Sequence, residues 1–216
     1  MAETSTALPR PLLTRHSPLE HRAHDMERAG RAGPCGAELR EVPFLTQFNL
    51  RLRYPAPPVR PEPLLASRPF TLPRTPNTVH RAGDMTAIWL GPDEWLVVTP
   101  GPATDVEGSL RKAAEAALCG AYADVSAHST VLRLSGGRAR EVLRKVCSID
   151  LHPRTFGSDR CAQTLLARVR VLLVADCRAD TFLIFVRASF ADYVTDWLLD
   201  AMAEFADGTD HLTEER

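Results

Sequence analysis

Proline divides this chain into two unlike halves. Of its 17 prolines, 16 lie in residues 1–102 and only Pro153 lies beyond. Proline fixes φ and lacks a backbone donor, so it is kept out of helix interiors and central strands. From Pro55 to Pro76 there are eight prolines, including Pro57-Pro58 and the P-x-P of Pro61-Glu62-Pro63. Such a run is a stiff, extended connection with polyproline geometry in places. Its position between two strands, rather than in a free tail, argues against a P-x-x-P ligand. Residues 1–42 mix Pro, Gly and charge with weak periodicity and offer few apolar anchors beyond Leu12, Leu13 and Leu19. They read as an extended N-terminal arm that wraps a surface and adds little to the core.

Regular patterning starts at Thr46. In Gln47–Tyr54, the apolar Phe48, Leu50, Leu52 and Tyr54 alternate with Gln47, Asn49, Arg51 and Arg53, which predicts a half-buried strand. Met85–Leu90 and Glu94–Thr99 predict a hairpin turning at Gly91-Pro92-Asp93. A helix follows, with Thr104 as N-cap, Glu107 completing a capping box, and Gly120 as its terminator. Its apolar stripe is Val106, Leu110, Ala113, Ala114, Ala117 and Leu118. Tyr122–Val125 and Thr130–Leu134 are strands, and Arg138–Cys147 is a helix burying Ala139, Val142, Leu143 and Val146. Gln163–Ala175 reads as one long strand, turning through Asp176–Asp180 into Thr181–Arg187. The last helix opens at Ser189, buries Phe190, Tyr193, Val194, Trp197, Leu198, Ala201 and Phe205 on one side, and stops before Gly208.

The second half is thus β-α-β-β-α, a split βαβ pattern, and the first half is the same plait with one helix lost to prolines. The predicted class is α+β, built as two related ferredoxin-like units sharing strands. The domain reading is an arm over 1–42, an α+β domain over 43–206 with a proline-rich crossover at 55–83, and an acidic tail at 207–216.

Charge excludes several functions. With 26 basic and 27 acidic side chains the net charge is −1, which argues against nucleic-acid or anionic-membrane binding by bulk charge. No apolar run approaches the ~20 residues of a membrane helix, and the first residues lack the pattern of a secretory signal. The five cysteines (Cys35, Cys119, Cys147, Cys161 and Cys177) form no C-x-x-C pair, so reduced thiols in a cytoplasm are expected.

No independent active site emerges. Asp124, Ser126 and His128 fall at i, i+2 and i+4, one face of a strand, where the three side chains stand parallel instead of converging as a triad requires. Hydrogen bonding at a strand end explains them more simply. Ser135-Gly136-Gly137-Arg138 joins a strand to a helix start, where free amides can hold phosphate, but it lacks both the P-loop and the dinucleotide spacing. His16, His21 and His24 lie in the arm without a frame to fix their tautomers, so metal binding is not expected there. Arg51 with Arg53, and Arg168 with Arg170, share strand faces, a pattern that suits solvated faces and protein interfaces. Trp89, Trp95 and Trp197 read as core.

Several blocks, taken in order, carry a resemblance. They are Ser17-Pro18-Leu19, Gln47-Phe48-Asn49-Leu50-Arg51, Trp89-Leu90-Gly91-Pro92-Asp93-Glu94-Trp95-Leu96 and Thr130-Val131-Leu132-Arg133-Leu134-Ser135-Gly136. They continue through Asp150-Leu151-His152-Pro153-Arg154, Cys161-Ala162-Gln163-Thr164-Leu165-Leu166-Ala167 and Ser189-Phe190-Ala191-Asp192-Tyr193. Together they resemble the gamma subunit of bacterial heterotetrameric sarcosine oxidase from Ser17 to about Phe205. The resemblance implies a fold similar to the folate-binding aminomethyltransferases. It also implies a cytoplasmic complex with alpha, beta and delta subunits that oxidatively demethylates sarcosine to glycine and hydrogen peroxide. In that complex the one-carbon unit passes to tetrahydrofolate, and FAD, FMN, NAD, tetrahydrofolate and zinc sit on the partner chains. The implied role here is a non-catalytic structural subunit with no catalytic, cofactor or metal residues of its own. Asp124-Val125-Ser126 is similar to the start of the aminomethyltransferase D-V-S-H segment, with Ala127 inserted before His128. A free-standing folate-dependent aminomethyltransferase or folate-binding regulator is the alternative.

Overall fold

A computed structural model describes residues 14–30, 36–53 and 70–205. Most of the proline-rich crossover, the acidic tail at 207–216, Leu12, Leu13, Cys35, Tyr54 and Gly208 lie outside these residues.

Among the described residues, ten strands and four α-helices follow in order: α1 (Ala23–Ala29), β1 (Glu38–Glu41), β2 (Leu45–Arg53), β3 (Val79–Ala82), β4 (Met85–Gly91), β5 (Glu94–Pro100) and α2 (Thr104–Ala116). The second half holds β6 (Cys119–Asp124), β7 (Ser129–Ser135), α3 (Ala139–Val146), β8 (Cys161–Leu166), β9 (Val169–Ala175), β10 (Thr181–Arg187) and α4 (Ala191–Ala203). They form two five-stranded sheets, ordered β3-β4-β5-β2-β6 and β1-β7-β10-β9-β8, with antiparallel pairing throughout. Stripped of β3, the first sheet runs β6-β2-β5-β4, the 4-1-3-2 order of a ferredoxin-like plait. Stripped of β8, the second runs β1-β7-β10-β9, the same order, with its fourth strand supplied by the N-terminal segment. The two related units are present, but as separate sheets with no strand in common, contrary to the expected sharing; β1 belongs to the second sheet alone because, among the described residues, its only ladder partner is β7.

Alternation along the strands sorts side chains into layers. Leu132 and Leu134 of β7, Leu173 of β9 and Ile184 of β10 face α1, α3 and α4. Phe48, Leu50 and Leu52 of β2 and Val97 of β5 face α2 and the buried Phe70. Ile88, Leu96, Val98, Val131, Leu172, Val174 and Phe185 fill the space between the sheets. The order is helix, sheet, sheet, helix.

Several expectations change. Among the described residues before Phe44, the chain is not a loose arm: Leu19 is 0% exposed, Met26 3% and Leu39 1%, all in the core under the second sheet. Arg22 bonds Asp192 and Asp196 and so ties α1 to α4, which holds its pKa above the usual arginine value, Asp196 contributing most. Within the 55–83 crossover, Val79–Ala82 is a strand, and Pro73 accepts the Trp95 indole N–H at 2.7 Å.

Thr104 opens α2 but caps nothing; Ala103 is the N-cap, and its carbonyl accepts the Glu107 amide. Gly120 lies in β6 rather than at the helix end, where a Cβ would collide with the Ala114 backbone. The helix stops at Ala116 and Leu118 is exposed. The predicted strand over Gln163–Ala175 is a hairpin broken at Ala167-Arg168, with Ala167 at φ 49°. No Gly, Asn or Pro marks that turn, so the sequence carries no signal for it. Ser189 lies in a 3-10 turn leading into α4 and caps nothing. That helix buries Ala191, Val194, Leu198, Ala201 and Met202, which turns Phe190, Tyr193 and Trp197 outward. Trp95 is core as expected and Trp89 packs beside it, but Trp197 is 43% exposed. Among the described residues, no helix is long and apolar enough to cross a membrane.

Candidate functional site

Strand β6 ends at Asp124, and Ser126–His128 is a turn, so the three side chains do not share a strand face. Asp124 Oδ1 accepts the Ser126 amide at 2.8 Å and the Ser126 hydroxyl at 2.5 Å. The same hydroxyl accepts the Gln47 amide at 2.9 Å. Ser126 is therefore committed to closing the β6–β2 end, and its hydrogen bonds do not include His128. A serine held in this way is a turn element, not a nucleophile activated by a base.

The Ser135–Arg138 turn is likewise used internally. Gly136 sits at φ 111°, and the Arg138 amide donates to the Gly36 carbonyl at 3.0 Å. Glu141 accepts two hydrogen bonds from Arg138 Nη1, at 2.8 and 3.0 Å, beside the start of α3. A carboxylate there opposes a phosphate. His16 pairs with Glu20 and His21 with Asp192, so the N-terminal histidines point to separate partners. Among the described residues no group of three His, Cys, Asp or Glu side chains is placed to hold a metal ion.

The Asp150–Arg154 block is a framework loop. Asp150 accepts the His152 amide at 2.9 Å, and this bond, helped by the Thr155 hydroxyl, holds its carboxyl below the usual carboxylate range. Arg140 donates to the Leu151 and Phe156 carbonyls, pinning two core residues. Cys161 lies 3.5 Å from the Trp89 carbonyl and 3.6 Å from that of Thr78. Burial pushes its thiol up to about 11. Cys161 is expected to stay unmodified by iodoacetamide at pH 8, while the exposed Cys119 and Cys177 react. Peptide mass spectrometry of the native protein checks this, and equal labelling of all three would contradict it. Because the native thiol keeps its proton while the unfolded one loses it, Cys161 favours the fold below its unfolded pKa. That contribution fades as pH rises toward 11.

A cleft of about 1030 Å³ opens where the sheets splay apart. One wall comes from Gln47, Asn49 and Glu94, the other from Leu165, Arg170, Arg187 and their neighbours. Gln47 was expected on a solvent face, but it is 2% exposed because the second sheet covers it; its side-chain amide donates to the Ser129 carbonyl at 2.9 Å. Asn49 donates to Glu94 at 2.8 Å and Arg51 pairs with Glu94 at 2.9 Å. Arg53 pairs with Asp93 at 3.2 Å, so the β2 arginines are spent on the β4–β5 hairpin. Arg168, Arg170, Arg187 and His128 line the cleft and are exposed. Sequence reasoning flagged Arg168 and Arg170 but missed Arg187, whose place depends on strand register.

The model of the family described as sarcosine oxidase, gamma subunit, matches residues 69–204. A sarcosine oxidase subunit gamma from Arthrobacter sp. is 40% identical over 197 residues, covering 90% of this chain and 93% of that relative. The chain belongs to the sarcosine oxidase gamma subunit family. A second member, from Corynebacterium sp. (strain U-96), is 40% identical over 200 residues, or 89% of this chain and 92% of its own. Among solved structures, a chain of the heterotetrameric sarcosine oxidase from Corynebacterium sp. U-96 in complex with pyrrole 2-carboxylate superposes with TM-score 0.78 at 36% identity. It covers 94% of this chain and 99% of that one. Aminomethyltransferase T of the glycine cleavage system from Bartonella henselae superposes with TM-score 0.52 at 14% identity, over 81% of this chain and 48% of that one. This gamma subunit family member therefore shares the aminomethyltransferase fold, as the sequence blocks implied.

Proposed function

We propose that this chain is the gamma subunit of a cytoplasmic heterotetrameric sarcosine oxidase, and that it serves the complex by assembly rather than by chemistry. The carrying observation is the superposition, along nearly its full length, on a chain of such an oxidase at 36% identity. Its partners are the alpha, beta and delta subunits. The complex oxidatively demethylates sarcosine to glycine and hydrogen peroxide and passes the one-carbon unit to tetrahydrofolate. FAD, FMN, NAD, tetrahydrofolate and zinc belong to those partners. Two features of this chain support a supporting role: Ser126 is locked in a turn, and the α3 N-terminus is occupied by the chain's own backbone and Glu141.

His128→Ala is expected to leave turnover, normalised to intact complex, within a few fold of the parent. A ~1000-fold loss in a fully assembled complex, about 4 kcal/mol of barrier, would overturn the structural role. Titrating the isolated chain with tetrahydrofolate separates this reading from a free-standing folate enzyme, which would bind it without partners.

A further inference from the structure

The register of the second sheet sets two arginines side by side. Phe185 opposes Leu172 and Val186 opposes Val171, the last pair of that ladder, and the same register extended by one residue sets Arg187 opposite Arg170. Both point to the inner face, two positions on from Phe185 and Leu172 of the inter-sheet core. Arg168, in the adjoining turn, lines the same cleft. Like charges directly opposite each other on antiparallel strands destabilise the pair. A carboxylate between them would relieve this, yet among the described residues none of the three arginines makes an ion pair. The acidic group that does line the cleft, Glu94, is taken by Asn49 and Arg51. A chain of net charge −1 thus carries a local cluster of uncompensated cations.

The surroundings describe the missing anion. Leu96, Leu172 and Phe185 form an apolar floor, with the half-exposed Leu165 at the rim. At about 1030 Å³ and open to one side, the cleft is at or beyond the upper size of a small-ligand pocket, ~1,000 Å³. It continues outward through Phe190, 46% exposed, onto the α4 face where the Tyr193 and Trp197 rings lie 6.3 Å apart. Arginines beside exposed aromatics are the composition of protein interface centres, and guanidinium forks select carboxylates.

We propose that this cleft and the Phe190–Trp197 stripe form a docking surface for an acidic, extended polypeptide segment of another subunit of the oxidase. Its Asp or Glu side chains bridge Arg168, Arg170 and Arg187, while its apolar side chains cover Leu165 and Phe190. The surface rests on the subunit reading above and names the chemistry of the contact.

The test uses the full chain co-expressed with the alpha, beta and delta chains of the same oxidase. The Arg168→Glu/Arg170→Glu/Arg187→Glu variant is compared with Arg28→Glu/Arg40→Glu/Arg178→Glu, which changes net charge equally at exposed positions away from the cleft. The cleft variant is expected to lower the co-purified fraction by about tenfold or more, with a loss that grows as salt falls, while the control stays within twofold of the parent. Arg→Lys at the three cleft positions should restore most of the assembly. Because the three side chains are exposed, the thermal midpoint of the isolated cleft variant should match the parent's. Full assembly of the cleft variant, beside an assembling parent, overturns the docking surface and leaves the subunit reading standing. A parent chain that never assembles overturns both.

Discussion

Removing residues 1–42 is expected to abolish the cooperative fold, not to trim an appendage from it. Leu19, Met26 and Leu39 are each at most 3% exposed and lie between the second sheet and its helices. Burying a side chain of this size stabilises by roughly 1.5–3 kcal/mol, so the three together contribute about 6 kcal/mol. That is comparable to the whole stability of a domain, ~5–15 kcal/mol. The deletion also strips β1 from β7, from Glu38 opposite Ser135 to Glu41 opposite Leu132, and leaves an apolar edge open to aggregation. The measurement is thermal unfolding of the truncated chain by near- and far-UV circular dichroism. A sharp transition within a few degrees of the parent would show that this segment is dispensable to the core.

Gly136→Val should have the next largest effect. Gly136 has φ 111°, where a β-branched residue is strained, and a Cβ would lie 2.5 Å from the Gly36 carbonyl oxygen and 3.1 Å from Ala37 Cα. Relief requires moving the lead-in to β1, which also breaks the Arg138 amide bond to Gly36. Strain of this kind costs ~1–3 kcal/mol before any displacement of backbone is counted. A total of about 3 kcal/mol corresponds to a fall of roughly 10 °C in Tm for a chain of this size. The measurement is the melting temperature of the variant beside Gly137→Val, whose neighbouring glycine is exposed and lies outside the left-handed region. Equal midpoints would mean that the close approach of the two segments is not required.

These two variants also mark where reading the sequence stops. Period-two alternation at Phe48, Leu50 and Leu52, the Gly91–Asp93 turn, and the Ala139–Val142–Leu143 stripe are local patterns. Each appears in the structure within a residue or two of its expected place. Proline density correctly kept helices out of residues 70–78, and the blocks quoted from Ser17 to Tyr193 carried the family. The turn at Ala167 left no trace because its geometry is imposed by the pairing of β8 with β9 rather than by a turn residue. The candidate site was legible only in pieces: Arg168 and Arg170 stood out, but Arg187 joins them solely because β10 pairs with β9 in one register.

By itself, the sequence determined the α+β class, the repeated plait and the type of most elements outside the N-terminal segment and the crossover, because hydrophobic period and turn chemistry act over a few residues. The tertiary structure alone decided that β1 completes the second sheet, since choosing among strand partners depends on contacts nearly a hundred residues apart. It decided that Gln47 is buried by a second sheet that its own strand cannot announce. It also decided that α4 buries Val194 and Leu198 while turning Trp197 outward. An apolar stripe wider than the available sheet can be rotated by one position, and only the packing partner chooses which edge remains in water.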